Sequence, residues 1–359
     1  MIKIGSTTIQ ENQAPFVIAE IGKNFIQTKE DQPWQEYLDN AKALVLAAKE
    51  AGANAVKFQT HIFEDEQMNV DVVSPHFKGA DRYSWVKRNT EATPIEFWQQ
   101  LKSFCDEQGI IFFSTPMSRK AAMMLESINV PLWKVGSGDI LDFVTLDYIT
   151  KTKKPIIISS GMSTLEELDL SLDFLKTRQA DIVLMHCVSK YPCPPEELNL
   201  QTISFLQKRF QVLVGFSDHS LGHDSVLAAV QLGAVVIEKH FSFDRTLFGA
   251  DHKVSMTPAE FKAMVDDIKA GKKSTIENYG KEIKMLQEDE SVFRPYFRKA
   301  LVAGRDIKAG EVLKAEDIYA MRPGGYIDGL PSEQFEKILG MKVIKDLKKY
   351  DPIKLEFLQ

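Results

Sequence analysis

Eight short and nearly continuous apolar runs recur along the first two thirds of the chain, and most neighbouring runs are separated by a helix-sized segment. The runs are FVIAEIG (16–22), NAVKFQT (54–60), IIFFSTP (110–116), LWKVGSG (132–138), PIIISSG (155–161), IVLMHCV (182–188), VLVGFSDH (212–219) and AVVIEKHF (234–241). Continuous β-branched runs are typical of parallel strands that helices cover on one face and a barrel core on the other. Eight such strands alternating with helices predict a closed parallel (β/α)8 barrel.

The segments between the runs carry apolar residues at three- and four-residue spacing, the period of an amphipathic helix. Helices are predicted at 31–52, 93–109, 118–128, 141–152, 163–177, 195–210, 225–234 and 257–271. Residues 1–14 alternate in polarity and predict a small hairpin at the bottom of the barrel rather than a secretory leader. The connection 61–92 has no clear period, and its length favours an active-site loop.

The barrel pattern stops after Gly271. Residues 272–294 are charged and predict a linker, and residues 295–359 contain short strand-like runs at RKALVAG, GEVL and YDPI. A β-rich domain of roughly 60 residues is marginally stable alone, so we expect it to dock onto another surface. The predicted organisation is a barrel at 1–271, a linker at 272–294 and a small β-rich domain at 295–359.

Composition narrows the class of protein. The chain is 44% hydrophobic and 26% charged, as globular proteins are, and its net charge of −6 argues against general affinity for nucleic acid. It has no apolar stretch of about 20 residues, so no membrane span is expected. The three cysteines, Cys105, Cys187 and Cys193, form no CxxC pair and predict reduced thiols in a cytoplasmic protein.

Polar residues stand where the predicted strands end, which is where TIM barrels place their active sites. They are Glu20, Lys57, Gln59, Thr115, Lys134, Ser137, Ser159, Ser217, His219 and His240. The motifs KVGSGD (134–139) and SSGMS (159–163) combine glycines with hydroxyl and ammonium donors, which suits a small-anion pocket completed by Ser217. Taken singly these are ordinary turn residues, but their recurrence on one rim favours the pocket.

Two histidines, His219 and His240, end the seventh and eighth strands. Imidazoles about 5–7 Å apart on neighbouring strands can share a divalent ion. Two protein ligands leave positions open for water and substrate, which suits a Lewis acid. The alternative is one solvated histidine and one that caps a helix.

Glu20 and Lys57 lie within apolar runs. A carboxylate is rarely buried without a partner, so Glu20 is expected to face the site. Lys57 shares a strand face with Gln59 and would either pair with a substrate carboxylate or form a Schiff base. The residues alone leave both roles open.

Taken together, these motifs resemble a known family. IAEIG, KFQTH, FSTP, KVGSGD, SSGM, GFSDHS, EKHF and GADH, in this order, closely resemble the sialic acid (nonulosonate) synthases, and RKALVA with MRPGG resembles their carboxy-terminal antifreeze-like (SAF) domain. The resemblance covers nearly the whole chain. It implies that carbon 3 of phosphoenolpyruvate attacks the aldehyde of an N-acylated mannosamine-type sugar, that water adds at carbon 2, and that phosphate leaves by C–O cleavage. The product would be a nine-carbon 2-keto acid.

The same resemblance implies a role for each site residue. His219 and His240 would hold Mn²⁺ or Mg²⁺, and Glu20 would be the acid/base or positioning group. The phosphate would be bound by Lys134, Ser137, Ser159 and Ser217. Lys57 and Thr115 would hold the carboxylate of phosphoenolpyruvate, which argues against a Schiff base. The sugar would be contacted by Gln59, Ser189, Tyr191 and Asp251. In the domain-swapped homodimer of this family, Arg322 would cap the partner's sugar site.

The chain departs from the family pattern on the side expected to face the sugar. Phe25 and Gln27 replace a histidine and a glycine, Ser189 replaces an asparagine, and RPGGY moves the second glycine of the tail motif. These substitutions favour an acceptor other than N-acetylmannosamine, such as the 2,4-diacetamido-6-deoxyhexose of legionaminate or pseudaminate synthases.

Two other interpretations stay open. A 9-phosphate synthase would need extra cations near the sugar; Lys78, Arg82, Lys87 and Arg88 are candidates, although we expect them at the solvated surface. A non-catalytic carbohydrate-binding or coat-assembly protein on the same barrel is disfavoured, because the histidine pair and Lys134 are retained.

Overall fold

Eight parallel strands form the predicted barrel in the computed structural model, which describes residues 1–70, 72–73 and 81–359. With those of two smaller sheets, the described strands are β1 (Ile2–Ile4), β2 (Thr7–Ile9), β3 (Phe16–Gly22), β4 (Ala55–Thr60), β5 (Ile111–Pro116), β6 (Trp133–Val135), β7 (Ile156–Ser159), β8 (Ile182–Cys187), β9 (Leu213–Asp218), β10 (Val236–His240), β11 (Ala300–Ala303) and β12 (Ile318–Met321). The barrel sheet runs β5-β4-β3-β10-β9-β8-β7-β6, and contacts between β5 and β6 nearly close it. The predicted TIM-barrel fold is confirmed.

Helices follow the barrel strands on the outside, and three short ones lie beyond the barrel, within residues 288–338. They are α1 (Trp34–Glu50), α2 (Phe63–Glu66), α3 (Arg82–Glu91), α4 (Ile95–Gln108), α5 (Arg119–Ser127), α6 (Phe143–Lys151), α7 (Leu165–Thr177), α8 (Thr202–Phe210), α9 (Asp224–Gln231), α10 (Pro258–Lys269), α11 (Glu288–Ser291), α12 (Arg294–Phe297) and α13 (Phe335–Ile338). Their starts follow local chemistry: Thr164 and Thr257 make capping boxes with Glu167 and Glu260 at α7 and α10.

Three sequence expectations were wrong in detail. The connection 61–92 contains α2 and α3, so it is not a loop throughout. The segment predicted as a helix from residue 195 becomes regular only at Thr202, because a short 3-10 turn comes first. The run 132–138 is a strand only as far as Val135, and Ser137–Asp139 forms a 3-10 turn.

The inside of the barrel changes from apolar to polar along each strand. Near the bottom, Ile18, Phe113, Ile157 and Met185 pack with the hairpin β1–β2. Two residues further on, the inward positions are polar, as a period of two requires. Gly215 is needed in this interior, since a Cβ there would lie 2.5 Å from Met185 Sδ. Because apolar side chains fill the bottom of the barrel, the inward-facing polar side chains lie together at the carboxyl ends of the strands.

The carboxy-terminal domain docks on its own barrel. Arg119 donates to the carbonyl oxygens of Ala315 and Ile318, at 2.6 and 2.8 Å, and the Lys299 ammonium lies 2.6 Å from Asp142 Oδ2. Strands β11 and β12 pair antiparallel, and the other β-type backbone pairings in this domain are isolated β-bridges. Across the described ranges, none of the helices combines the length and apolarity that a membrane crossing needs.

Candidate active site

A buried ion cluster fills the carboxyl end of the barrel. Lys57 Nζ lies 2.5 Å from Glu20 Oε2 and 3.6 Å from Glu238 Oε1, and Lys134 Nζ lies 3.8 Å from the same Glu238 oxygen. These four side chains are at most 7% exposed. They project from β3, β4, β6 and β10, so the barrel brings together residues up to 218 positions apart, Glu20 and Glu238.

Hydroxyl groups surround the two ammonium groups. Lys134 Nζ donates to Ser159 Oγ at 2.7 Å, and Lys57 Nζ donates to Thr115 Oγ1 at 3.4 Å. Ser217 Oγ donates to Glu238 Oε1 at 3.1 Å. Two cations and several hydroxyls at one end of a barrel supply the donors that the predicted small-anion pocket requires, and the binding of an anion there stays a prediction.

Burial and neighbouring charges set the pKa values of the cluster. Burial raises the pKa of Glu20 to about 7, although the charge of Lys57 opposes the rise. Burial lowers the pKa of Lys57, but Glu20 and Glu238 outweigh it and leave that pKa raised. The ammonium groups of Lys134 and Lys57 outweigh burial at Glu238 and lower its pKa to about 2. Glu20 is therefore the member best suited to exchange a proton near neutral pH.

The two predicted metal ligands are neighbours. The ring centres of His219 and His240 lie 5.4 Å apart, and the Tyr191 ring lies 4.0 Å from that of His219. His219 Nδ1–H donates to the Val188 carbonyl at 2.8 Å, which leaves Nε2 as the ligand atom. Buried His240 Nδ1 has no hydrogen-bond partner within the described residues, and burial holds the pKa of His240 well below its usual value.

The low pKa of His240 favours its neutral, ligating form, whereas at His219 the neighbouring Cys187 outweighs burial and raises the pKa. Within residues 1–70, 72–73 and 81–359, His, Cys, Asp and Glu form no cluster of three that could hold a metal. The protein thus offers two ligands, and an ion there would keep positions for water or substrate.

Polar atoms also converge around Gly22, at the end of β3. Gln59 Nε2 donates to Glu20 Oε1 at 3.0 Å. A Cβ on Gly22 would lie 3.1 Å from Glu20 Oε1, 3.3 Å from Gln59 Nε2 and 3.4 Å from Asp251 Oδ2. Glu20, Gln59 and Asp251, all predicted site residues, therefore face one small space.

Ser137 and Ser189 flank the turn after β7. A Cβ on Gly161 would overlap the hydroxyl oxygens of both serines, so a side chain there is excluded. Ser137 Oγ also donates to Cys187 Sγ at 3.5 Å. Ser137 is a predicted ligand of the phosphate and Ser189 a predicted contact of the sugar, so this turn lies between the two predicted binding sites.

Arg322 is held by two carboxylates of the barrel. It is fully buried, its guanidinium is hydrogen-bonded to Asp139, and its Nη1 lies 3.8 Å from Glu66 Oε1. These contacts are made within one chain, between the end of β12 and the barrel. The cap over a partner's sugar site stays a prediction.

Two expectations about surface and sugar-side residues were wrong. Arg82 is only 5% exposed and its guanidinium lies 4.7 Å from the Phe297 ring centre, so it is not a solvated cation. Lys87 and Arg88 lie nearer the surface, and Lys78 lies outside the described residues. Phe25 is fully buried against Phe97 and therefore faces the core between barrel and helices, not the sugar.

Sequence reasoning missed Glu238 and Glu290. A signal for Glu238 existed, since it stands two residues before His240 in one strand and so faces the same side. Glu290 gave no signal, because it lies in the charged linker. Its Oε1 nevertheless accepts the Met162 and Ser189 N–H groups at the barrel rim.

Comparisons with known proteins show which families the chain matches. The NeuB family model matches residues 44–279, and the SAF domain model matches residues 298–359. Pseudaminic acid synthase of Campylobacter jejuni is 34% identical over 94% of this chain and 95% of its own. Human N-acetylneuraminate-9-phosphate synthase is 32% identical over 96% and 92%. The crystal structure of the spore coat polysaccharide biosynthesis protein SpsE of Bacillus subtilis is 30% identical, covers 100% of this chain and 99% of its own, and has a TM-score of 0.81.

Proposed function

Because this chain belongs to the NeuB family of sialic acid synthase-type transferases, we propose that it condenses phosphoenolpyruvate with an amino-sugar aldehyde. The acceptor is an N-acylated mannosamine-type sugar, water adds at carbon 2 of phosphoenolpyruvate, and the products are a nine-carbon 2-keto acid and phosphate. The observation that carries the proposal is the buried cluster of Lys57, Lys134 and Glu238, ringed by hydroxyls at the carboxyl end of the barrel.

In this proposal the chain supplies the binding groups for phosphoenolpyruvate. Lys134, with Ser137, Ser159 and Ser217, binds the phosphate, and Lys57 with Thr115 binds the carboxylate. A charged Lys57 suits an ion pair with a carboxylate, whereas a Schiff base needs the neutral amine. The raised pKa of Lys57 supports the ion pair.

Glu20 faces the space beside Gln59 and Asp251, where the sugar aldehyde is placed. Its pKa of about 7 suits a group that protonates the forming hydroxyl or positions the aldehyde. A divalent ion, Mn²⁺ or Mg²⁺, held by His219 and His240 would supply Lewis-acid polarisation of the aldehyde. Tyr191, whose ring lies against His219, borders the same space.

The relatives differ in acceptor, and this decides how the proposal is tested. One is named for pseudaminic acid and another for a 9-phosphate product. A legionaminate- or pseudaminate-type reaction on a 2,4-diacetamido-6-deoxyhexose is therefore the second candidate. A 9-phosphate synthase is the third candidate. A sugar phosphate would need an extra cation, and the buried Arg82 is a cation that is shielded from bulk solvent.

The test is phosphate release from phosphoenolpyruvate with a panel of acceptors and Mn²⁺. The panel contains N-acetylmannosamine, its 6-phosphate and diacetamido-dideoxyhexoses, and mass spectrometry identifies the 2-keto acid. Release with one class and not with the others names the acceptor. If the protein binds phosphoenolpyruvate but releases phosphate with none of these acceptors, the proposal is wrong.

We also propose that the enzyme acts in the cytoplasm as a domain-swapped homodimer, as the family resemblance implies. In the dimer, the barrel contacts of the SAF domain would be made to the partner. Light scattering after size-exclusion chromatography measures the mass directly, and a monomer of 40.6 kDa at working concentration would contradict the dimer.

A further inference from the structure

One carboxylate of the linker enters the rim of the barrel. Glu290, in α11, is 1% exposed. Its Oε1 accepts the Met162 N–H at 2.9 Å and the Ser189 N–H at 2.8 Å, and its Oε2 accepts the Gln287 N–H at 3.3 Å. A single side chain therefore bonds two loops: the β7 loop, residues 160–164, and the β8 loop, residues 188–194.

Met162 is held at both ends of its backbone. Besides the bond from its N–H to Glu290, its carbonyl accepts the Arg298 Nη2–H at 2.8 Å. Its φ is +50°, in the left-handed region that a non-glycine residue rarely adopts. Such a conformation persists only where surrounding contacts impose it, and here the contacts come from the linker and from Arg298 beyond it.

The two loops carry groups for both substrates. Ser159, the predicted phosphate ligand that bonds Lys134, ends β7 just before the β7 loop. Ser189 and Tyr191, on the predicted sugar side, lie in the β8 loop. Asp289, next to Glu290, also pairs with Lys190 of the β8 loop at 2.9 Å. The linker thus contacts the place where the phosphate and sugar sides meet.

We propose that Glu290 is a positioning residue that fixes the β7 and β8 loops for the binding of both substrates. The inference rests on the proposed function, since it concerns loops that bind phosphoenolpyruvate and sugar. Glu290 acts through backbone N–H groups and touches neither substrate. Through it, the linker and the SAF domain set the geometry of the barrel site.

Steady-state kinetics of the full-length Glu290→Ala enzyme provide the first test. The KM for phosphoenolpyruvate and the KM for the sugar are both expected to rise at least fivefold, with a smaller change in kcat. Glu290→Gln keeps one oxygen for the two N–H groups and should stay within threefold of wild type. Simple loss of folded enzyme would lower kcat and leave both KM values unchanged.

Hydrogen exchange of the substrate-free protein provides the second test, which needs no activity. Peptides that contain Met162 and Ser189 should exchange at least tenfold faster in Glu290→Ala than in wild type. Glu288→Ala, at an exposed position of the same helix, is the matched control and should change neither measurement. If Glu290→Ala does not fold, Glu290→Asp, which is too short to reach both N–H groups, takes its place in both tests.

The outcomes separate the two proposals. Faster exchange in a protein that never releases phosphate would retain the loop contact and reject the proposed function. Unchanged exchange, or KM values within twofold of wild type in an active variant, would overturn the role of Glu290.

Discussion

Lys57 forms a buried ion pair with Glu20, its Nζ lying 2.5 Å from Glu20 Oε2, with both side chains at most 4% exposed. The pair joins the ends of β3 and β4, which are adjacent in the barrel sheet and bring Glu20 into register with Lys57. Separating two such charges in a buried site is unfavourable, so the pair restricts both side chains to the conformations seen here. The pair also fixes the charge state of Lys57.

The first prediction concerns that charge state. Because Glu20 and Glu238 raise the pKa of Lys57, its amine is protonated at neutral pH and is a poor nucleophile. Borohydride treatment in the presence of phosphoenolpyruvate or pyruvate and sugar should give no adduct on Lys57. Mass spectrometry of the digested protein checks this, and a reduced adduct at Lys57 would contradict the ion-pair role.

Replacing Glu20 tests its role in proton transfer. Glu20→Gln keeps the shape of the side chain but removes its charge and its exchangeable proton. We expect kcat to fall by about 10²–10⁴-fold, the usual contribution of a general acid or base. Glu36→Gln, on the exposed side of α1, is the control and should keep full activity. A Glu20→Gln enzyme within fivefold of wild type would show that Glu20 is dispensable.

The histidine pair predicts metal dependence. His240→Ala should abolish phosphate release that Mn²⁺ otherwise supports, and it should weaken Mn²⁺ binding measured by electron paramagnetic resonance. His223→Ala is the matched control, because His223 is paired with Asp267 through Nε2 at 2.8 Å and lies outside the histidine pair. Full activity of the wild-type enzyme in the presence of a strong chelator would refute a metal role.

Arg322 is predicted to support stability through buried pairing. Removing it in Arg322→Ala leaves Asp139 and Glu66 with less compensation, so the free energy of unfolding should fall by about 3 kcal/mol. A double-mutant cycle with Asp139→Asn should give a coupling of about 1–3 kcal/mol. Urea denaturation measures both. Unchanged stability together with a raised KM for the sugar alone would favour the cap over the sugar site instead.

Lys23 predicts a pH dependence of stability. Burial lowers its pKa to about 7, against the charge of Glu66, whereas its ordinary value is 10.5. Between these values the unfolded chain binds more protons than the folded one, so stability rises with pH across this window. Relative to wild type, Lys23→Met should therefore be most stabilised at or below pH 7.

The measurement for this prediction is urea denaturation of wild type and Lys23→Met at about pH 6.5, below the window that linkage defines, and at about pH 9.5, inside it. The stability advantage of the variant should shrink at the higher pH. Lys29→Met, an exposed neighbour, should show no such difference. An advantage of equal size at both pH values would mean that Lys23 has an ordinary pKa.

The strands and the inward-facing site residues could be predicted because their signals are local. A β-branched run of four to eight residues defines a strand, and a period of two assigns Glu20, Lys57, Lys134 and His240 to its inner face. Parallel strands of a barrel end on one rim, so the polar ends had to meet. The family resemblance added the roles of these residues and the identity of the SAF domain.

Tertiary structure decided the contacts between segments far apart in the chain. Glu290 meets Met162 across 128 positions, and Arg322 meets Asp139 across 183. No local pattern marks such partners, and a charged residue in a linker or loop looks solvated in the sequence, as Arg82 did. Whether its charge is buried depends on which surfaces dock. Local patterns therefore specify the barrel and the side chains that face its centre, whereas the packing of the linker and the SAF domain specifies the contacts that hold that centre in place.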